Sequence, residues 1–116
     1  MENRTEFWTA LDLLVAESTL IIDRPKGSHH PKYAGYIYPV DYGYLKNTSS
    51  MDGGGIDVWK GTAGKEIDAI FVTLDMFKKD SEIKILLGCN EHEKALIMQI
   101  HNEGPMKGLL ITRDNL

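Results

Sequence analysis

The chain has 116 residues, with 13 Lys and Arg against 17 Asp and Glu, and a formal net charge of −4. That length sustains one domain with a single modest core, and the acidic balance argues against a general nucleic-acid binder. A single cysteine, Cys89, excludes an internal disulfide and a cysteine-rich zinc site. The first residues lack the basic-then-apolar pattern of a signal peptide, and no apolar run approaches bilayer length. A cytosolic protein with no membrane partner is therefore expected.

Residues 5 to 16 predict an amphipathic helix, because Phe7, Leu11, Leu14 and Val15 recur at helical spacing and Trp8 widens the apolar face. Thr19 to Ile22 predicts a short strand that ends at Asp23-Arg-Pro25, where proline removes a ladder donor. Lys26 to Lys32 is a polar loop of lysines and histidines beside a glycine. It reads either as a solvated surface loop or as one that faces an anion. Its His29-His30 pair is a weak metal signal, since adjacent side chains on extended backbone point to opposite sides.

The stretch from Tyr36 to Asp57 holds four tyrosines, one proline, four glycines and three aspartates. Tyr-Pro and Tyr-Gly punctuate an extended run, and then Asp52-Gly-Gly-Gly-Ile-Asp57 follows. Three successive glycines are costly to order, so a fold that orders them needs bare backbone there. Two carboxylates frame that turn, an arrangement suited to a hard cation or to a phosphate held through one. The competing reading is a polar hairpin turn with a solvated aspartate at each end.

Ile56 to Trp59 predicts a strand, and Ile67 to Phe77 a longer one. Glu82 to Leu87 predicts another, with Ile83, Ile85 and Leu87 alternating against Glu82, Lys84 and Leu86. Residues 78 to 82 between the last two make a tight connection, hence an antiparallel hairpin. Asn90 caps a helix over residues 91 to 102, with an apolar stripe at Ala95, Leu96, Met98 and Ile100, ended by Gly104-Pro105. Leu109 to Thr112 is a last strand. The order α-β-β-β-β-β-α-β predicts a mainly β, α+β domain: a small closed or nearly closed antiparallel barrel with an N-terminal and a C-terminal helix.

The run from Ile37 to Val58 resembles the central signature of the family I soluble inorganic pyrophosphatases. Arg24-Pro-Lys-Gly-Ser followed by Lys32-Tyr33 is similar to the family's segment before that signature, and Asp80-Ser-Glu-Ile-Lys84 to the one after it. The resemblance extends from Ile21 to about residue 111 and implies Mg²⁺-dependent hydrolysis of pyrophosphate on a small five-stranded OB-like antiparallel barrel. It implies Asp52, Asp57, Asp80 and Glu82 as metal ligands, and Lys26, Lys32, Tyr42 and Lys84 as phosphate contacts. Asp57, Lys32 and Tyr42 are then the catalytic candidates, with Mg²⁺ or Mn²⁺ as cofactor, pyrophosphate or another small phosphorylated molecule as substrate, and a homo-oligomer as the assembly.

Elementary electrostatics agrees. Two carboxylates at 4 Å repel by roughly 4 kcal/mol at an effective dielectric of 20, so a cluster of them calls for cations. Oxygen ligands select Mg²⁺ or Mn²⁺ over zinc.

The sequence also departs from the family pattern. Gly54 stands where the family has the aspartate that handles the proton of the attacking water, and Gly55 stands in place of proline. Ala34 replaces a glutamate, the hairpin before Tyr36 that brings an arginine is almost gone, and His101-Asn102 stands for a Tyr-Lys pair. Asp41 is an alternative base. Two further readings stay open: a non-catalytic relative that binds a metal or phosphorylated ligand, and a single-strand nucleic-acid module stacking on Tyr33, Tyr36, Tyr38, Tyr42 and Tyr44. The acidic balance weighs against the last.

Overall fold

A computed structural model describes residues 4–113. The elements run α1 Arg4–Glu17, β1 Leu20–Arg24, β2 Asp41–Leu45, β3 Ile56–Lys60, β4 Ile67–Asp75, β5 Asp80–Leu87, α2 Glu91–Ile100 and β6 Met106–Thr112. This is the expected order. α2 begins with a capping box: the Asn90 side chain accepts from the Glu93 N–H, and the Glu93 carboxylate accepts from the Asn90 N–H. The Glu93 carboxylate also takes the N–H and the hydroxyl of Thr62, fastening the helix start to the β3–β4 connection.

The six strands form one sheet in the order β1-β2-β3-β5-β4-β6. The expectation of a closed five-stranded antiparallel barrel is corrected on two counts. The sheet is open, with β1 and β6 as its opposite edges. It is also mixed, because β4 lies outside β5, so the chain returns to pair β5 parallel with β3. Helices take over the covering that closure would have provided. On one face Trp8 and Leu11 of α1 pack against Leu45, Val58, Ile67, Ile70, Ile85 and Leu87. On the other face Ile97 of α2 joins Tyr38, Val40, Trp59, Ala69, Phe71 and Leu86.

The buried stripe of α2 differs from the one expected. Ile97 is fully buried, with Glu93 and Lys94 also inside, while Ala95 and Met98 face outward. Lys94 turns inward because it finds Asp68 at 2.9 Å and Glu91 at 3.0 Å. Charge pairing there overrides the hydrophobic pattern. Gly43 is required by the close approach of β1 to β2, since a Cβ on it would sit on the Ile21 carbonyl.

Beside Ile97 lies a buried polar pair. The Trp59 indole N–H donates to His101 Nε2 at 3.0 Å, and the imidazole packs on Phe71. Burial, with the Lys84 charge adding to it, pushes the imidazole down to about 3. An unfolded histidine titrates near 6.5, so between those values the unfolded chain holds a proton that the folded chain refuses. Stability is therefore complete above pH 6.5 and falls as pH drops towards 3. Urea unfolding is expected to show the parent losing about 3 kcal/mol more than His101→Gln between pH 6.5 and 4. Equal losses in the two proteins would contradict this account of the pair.

Candidate active site

The site grows from the side chain of Lys84. Alternation along β5 sends Glu82 and Lys84 to the α2 side of the sheet, opposite Thr73 and Phe71 of β4. The parallel β3–β5 register sets Val58 beside Ile85. One residue earlier on each strand, Asp57 falls beside Lys84. The Lys84 ammonium then donates to Asp57 Oδ2 at 2.7 Å, to the Tyr42 hydroxyl at 2.9 Å and to Glu82 Oε1 at 3.3 Å. All three ammonium protons are engaged, and the residue is 6 % exposed. Burial on its own would lower the Lys84 pKa, but Asp57 and Glu82 outweigh it and raise it. Lys84 thus stays charged. Burial and the charge of Asp57 push the Tyr42 hydroxyl well above its usual value, so it remains a neutral donor towards Asp57.

The glycine turn delivers Asp52 to this cluster. Ser50 N–H donates to the Gly54 carbonyl at 2.8 Å, and Gly53 takes a left-handed φ of 84°. Asp52 Oδ1 accepts from the Gly54 N–H and from the Ser50 hydroxyl, each at 2.9 Å. Those bonds, the backbone one foremost, hold the Asp52 carboxyl below its ordinary range. Gly55 is needed for another reason: a Cβ there would lie 2.7 Å from the Leu45 carbonyl oxygen and from the Tyr44 ring. At Gly54 neither constraint applies. Its φ is not left-handed, and a Cβ would meet only Asp52 Oδ1, at 3.3 Å.

Asp52, Asp57 and Glu82 each present a carboxylate oxygen within 4.8 Å of the others. Burial raises the Glu82 carboxyl, Lys84 opposes the rise, and the charges of Asp57 and Asp52 reinforce it. Glu82 Oε2 is buried without a hydrogen-bond partner. The donor set fits a hard divalent cation: three carboxylates against one ammonium leave two negative charges, which one such ion cancels.

Five of the residues singled out in the sequence, Asp52, Asp57, Glu82, Lys84 and Tyr42, are therefore brought together. Asp80 opens β5 opposite Asp75 and is not one of the three converging carboxylates. Lys26 and Lys32 lie on the exposed loop before β2. Their N–H groups donate to Asp41 Oδ1 at 2.8 Å and to His30 Nδ1 at 3.0 Å. Asp41, the alternative base, is tied to Lys26 and alternates with Tyr42 along β2. His29 Nδ1 lies 2.7 Å from the Ala34 carbonyl and His30 Nδ1 accepts from the Lys32 N–H, and neither histidine belongs to the group of converging carboxylates. The tyrosines next to the cluster were grouped in the sequence as a stacking platform, but Trp59 and Arg24, which complete the aromatic wall, were not. Tyr38 is 5.3 Å and Trp59 4.5 Å from Tyr42 between ring centroids, and Arg24 donates to the Tyr38 hydroxyl at 2.6 Å.

No protein-family model and no curated protein matches the chain. Solved structures do. The chain is similar to an inorganic phosphatase from Anaplasma phagocytophilum, at a TM-score of 0.56 and 14% identity, over 80% of this chain and 81% of that one. It is also similar to the inorganic pyrophosphatase of Helicobacter pylori, at a TM-score of 0.57 and 13% identity, over 84% of each chain. The fold is pyrophosphatase-like.

The raised Glu82 carboxyl has a measurable consequence. A cation entering the cluster competes with the proton on Glu82, so metal affinity should rise with pH through a window above the ordinary glutamate value of 4.5. Mn²⁺ titration by calorimetry in buffers of different ionisation enthalpy is expected to show proton release that shrinks as pH increases. Release unchanged in Glu82→Gln would contradict the assignment.

Proposed function

We propose that the chain hydrolyses inorganic pyrophosphate to two phosphates with Mg²⁺ or Mn²⁺ held by Asp52, Asp57 and Glu82. The observation that carries this reading is the convergence of those carboxylates around Lys84 and Tyr42 on a pyrophosphatase-like fold. A bound ion supplies Lewis acidity at a phosphoryl oxygen. The protein does the rest. Lys84 holds Asp57 and Glu82 at fixed distance and opposes the rise that burial imposes on the Glu82 carboxyl. It reaches a phosphate only by exchanging one of its three partners, whereas Lys26 and Lys32 are exposed on the loop before β2 and are the phosphate contacts of this reading. Tyr42 fixes the orientation of Asp57. Asp80, two residues before Glu82 on β5, is the further acidic residue of the reading, as an outer ligand.

Homo-oligomerisation belongs to the same reading. Ile83 and Leu109 flank Val72 across three strands on the α1 side of the sheet, and both are exposed. A row of this kind supports self-association. The absence of a carboxylate at Gly54 favours a second reading, a non-catalytic protein that binds metal or a phosphorylated ligand at the same place.

One assay separates the two. Phosphate release from pyrophosphate with Mg²⁺ or Mn²⁺ is expected in the parent and lost in Asp57→Asn. Gly54→Asp should raise turnover by about tenfold, less than the 10²–10⁴ of a fully supported base. The turn accommodates that change, because only Asp52 Oδ1 has to yield, and circular dichroism reports whether the fold is kept. No release from the parent together with tight Mn²⁺ binding would favour the non-catalytic reading.

A further inference from the structure

The three carboxylates of the cluster are not held alike. Lys84 fastens Asp57 at 2.7 Å and Glu82 at 3.3 Å, and both of those side chains are mostly buried. Its third proton goes to the Tyr42 hydroxyl, so none is left for Asp52. Asp52 is also the exposed member of the three. It hangs from a turn with three successive glycines, backbone that loses much freedom when it is ordered. A ligand that must be ordered at the moment of binding weakens a site. The affinity of the cluster for a cation therefore depends on what fixes Asp52.

Two hydroxyls brace the arm that carries it. At the base of the arm Leu45 of β2 faces Ile56 of β3. There the Thr48 hydroxyl donates to the Leu45 carbonyl at 2.7 Å and accepts from the Ile56 N–H at 2.9 Å. At the tip, the Ser50 hydroxyl has one proton and three acceptors in range: Asp52 Oδ1 at 2.9 Å, the Gly55 carbonyl at 3.1 Å and the Gly54 carbonyl at 3.4 Å. The carboxylate is the nearest of these and the charged one, so it takes the proton. Ser50 is itself held at both backbone groups. Its N–H donates to the Gly54 carbonyl at 2.8 Å, and its carbonyl accepts from the Gly53 N–H at 3.0 Å. The Gly54 N–H reaches the same Asp52 oxygen at 2.9 Å. Two donors, from two residues before Asp52 and two residues after it, thus converge on Oδ1. That grip sets the rotation of the carboxylate and leaves Oδ2 without either bond.

We infer that Ser50 is a positioning residue of the cation site, its hydroxyl fixing the Asp52 carboxylate in place before a cation binds. The inference rests on the cation site proposed above and adds the residue that preorganises its exposed ligand. Thr48 has a different task, since its bonds close the turn and involve no carboxylate. Groups outside a ligand set that hydrogen-bond to a ligand typically carry about 10- to 100-fold in metal affinity. The competing role for Ser50 is to serve the turn alone, through the Gly55 carbonyl. The two roles differ in one measurable respect: a hydroxyl that acts through Asp52 loses its effect once Asp52 is removed.

The test is the Mn²⁺ affinity of the parent, Ser50→Ala, Ser50→Thr, Asp52→Ala and the double variant, with Ser49→Ala as a control from the same loop. Free Mn²⁺ is read by electron paramagnetic resonance. Thr48 and the backbone bonds of residue 50 still close the turn in Ser50→Ala, so the fold should survive, and circular dichroism without metal checks it. Ser50→Ala is expected to weaken Mn²⁺ binding about tenfold, at the low end of the range for such partners. Ser50→Thr should return the parent value, and Ser49→Ala should leave it unchanged. In the Asp52→Ala background, Ser50→Ala should cost nothing further. Parent affinity in Ser50→Ala, or an equal loss in both backgrounds, would overturn the inference while the cation site stands. A parent that binds no Mn²⁺, or binds it no more tightly than Asp52→Ala does, would overturn the cation site and the inference with it.

Discussion

A buried ammonium organises this protein. Lys84 sits in the middle of the sheet, and an unpaired charge there would cost several kcal/mol. Its three partners come from three places: Asp57 from β3, Tyr42 from β2 and Glu82 from its own strand. The interaction therefore ties sheet order to site geometry. Were β3 and β5 not parallel neighbours, Asp57 would not fall beside Lys84. Removing either acidic partner would leave charge stranded in a low-dielectric interior, so the carboxylates of the site and the fold of the sheet support one another.

The same ammonium sets the charge of the cluster without completing it. Three converging carboxylates exceed what one lysine neutralises, and the excess appears as a raised Glu82 carboxyl and as a buried, partnerless Oε2. A structural ion pair has no need of that surplus; a cation-binding site does. The glycine turn contributes the remaining carboxylate. Gly53 supplies its left-handed φ and Gly55 its tight passage by Tyr44, so two of the three glycines are fixed by backbone geometry. Gly54 is fixed by neither, which makes it the position where chemistry rather than folding decides the residue.

Local signals in the sequence carried most of the elements. Asn90 before Glu93 announced the start of α2, and the alternation around Lys84 announced β5 with its correct faces. Long-range pairing was not legible. Nothing in residues 56–60 or 80–87 distinguishes a parallel neighbour from an antiparallel one, so an open mixed sheet was read as a closed barrel. In α2 the apolar pattern misplaced the buried stripe, because Lys94 enters the interior on the strength of Asp68, a residue 26 positions away. The site was legible in its residue types, while its geometry was not. Asp52, Asp57 and Glu82 do converge, but Lys84, expected among the phosphate contacts, is enclosed by the acids it neutralises, and Asp80 is not among the three that meet.

The central claim is that Asp52, Asp57 and Glu82 form one divalent-cation site braced by Lys84. Crystals soaked in Mn²⁺ test it most directly through anomalous scattering. The account predicts a peak within coordination distance of all three carboxylates, with the contacts from Lys84 to Asp57 and Tyr42 preserved. A map with no peak there at saturating Mn²⁺, or with Mn²⁺ bound elsewhere while the three side chains turn apart, would contradict it.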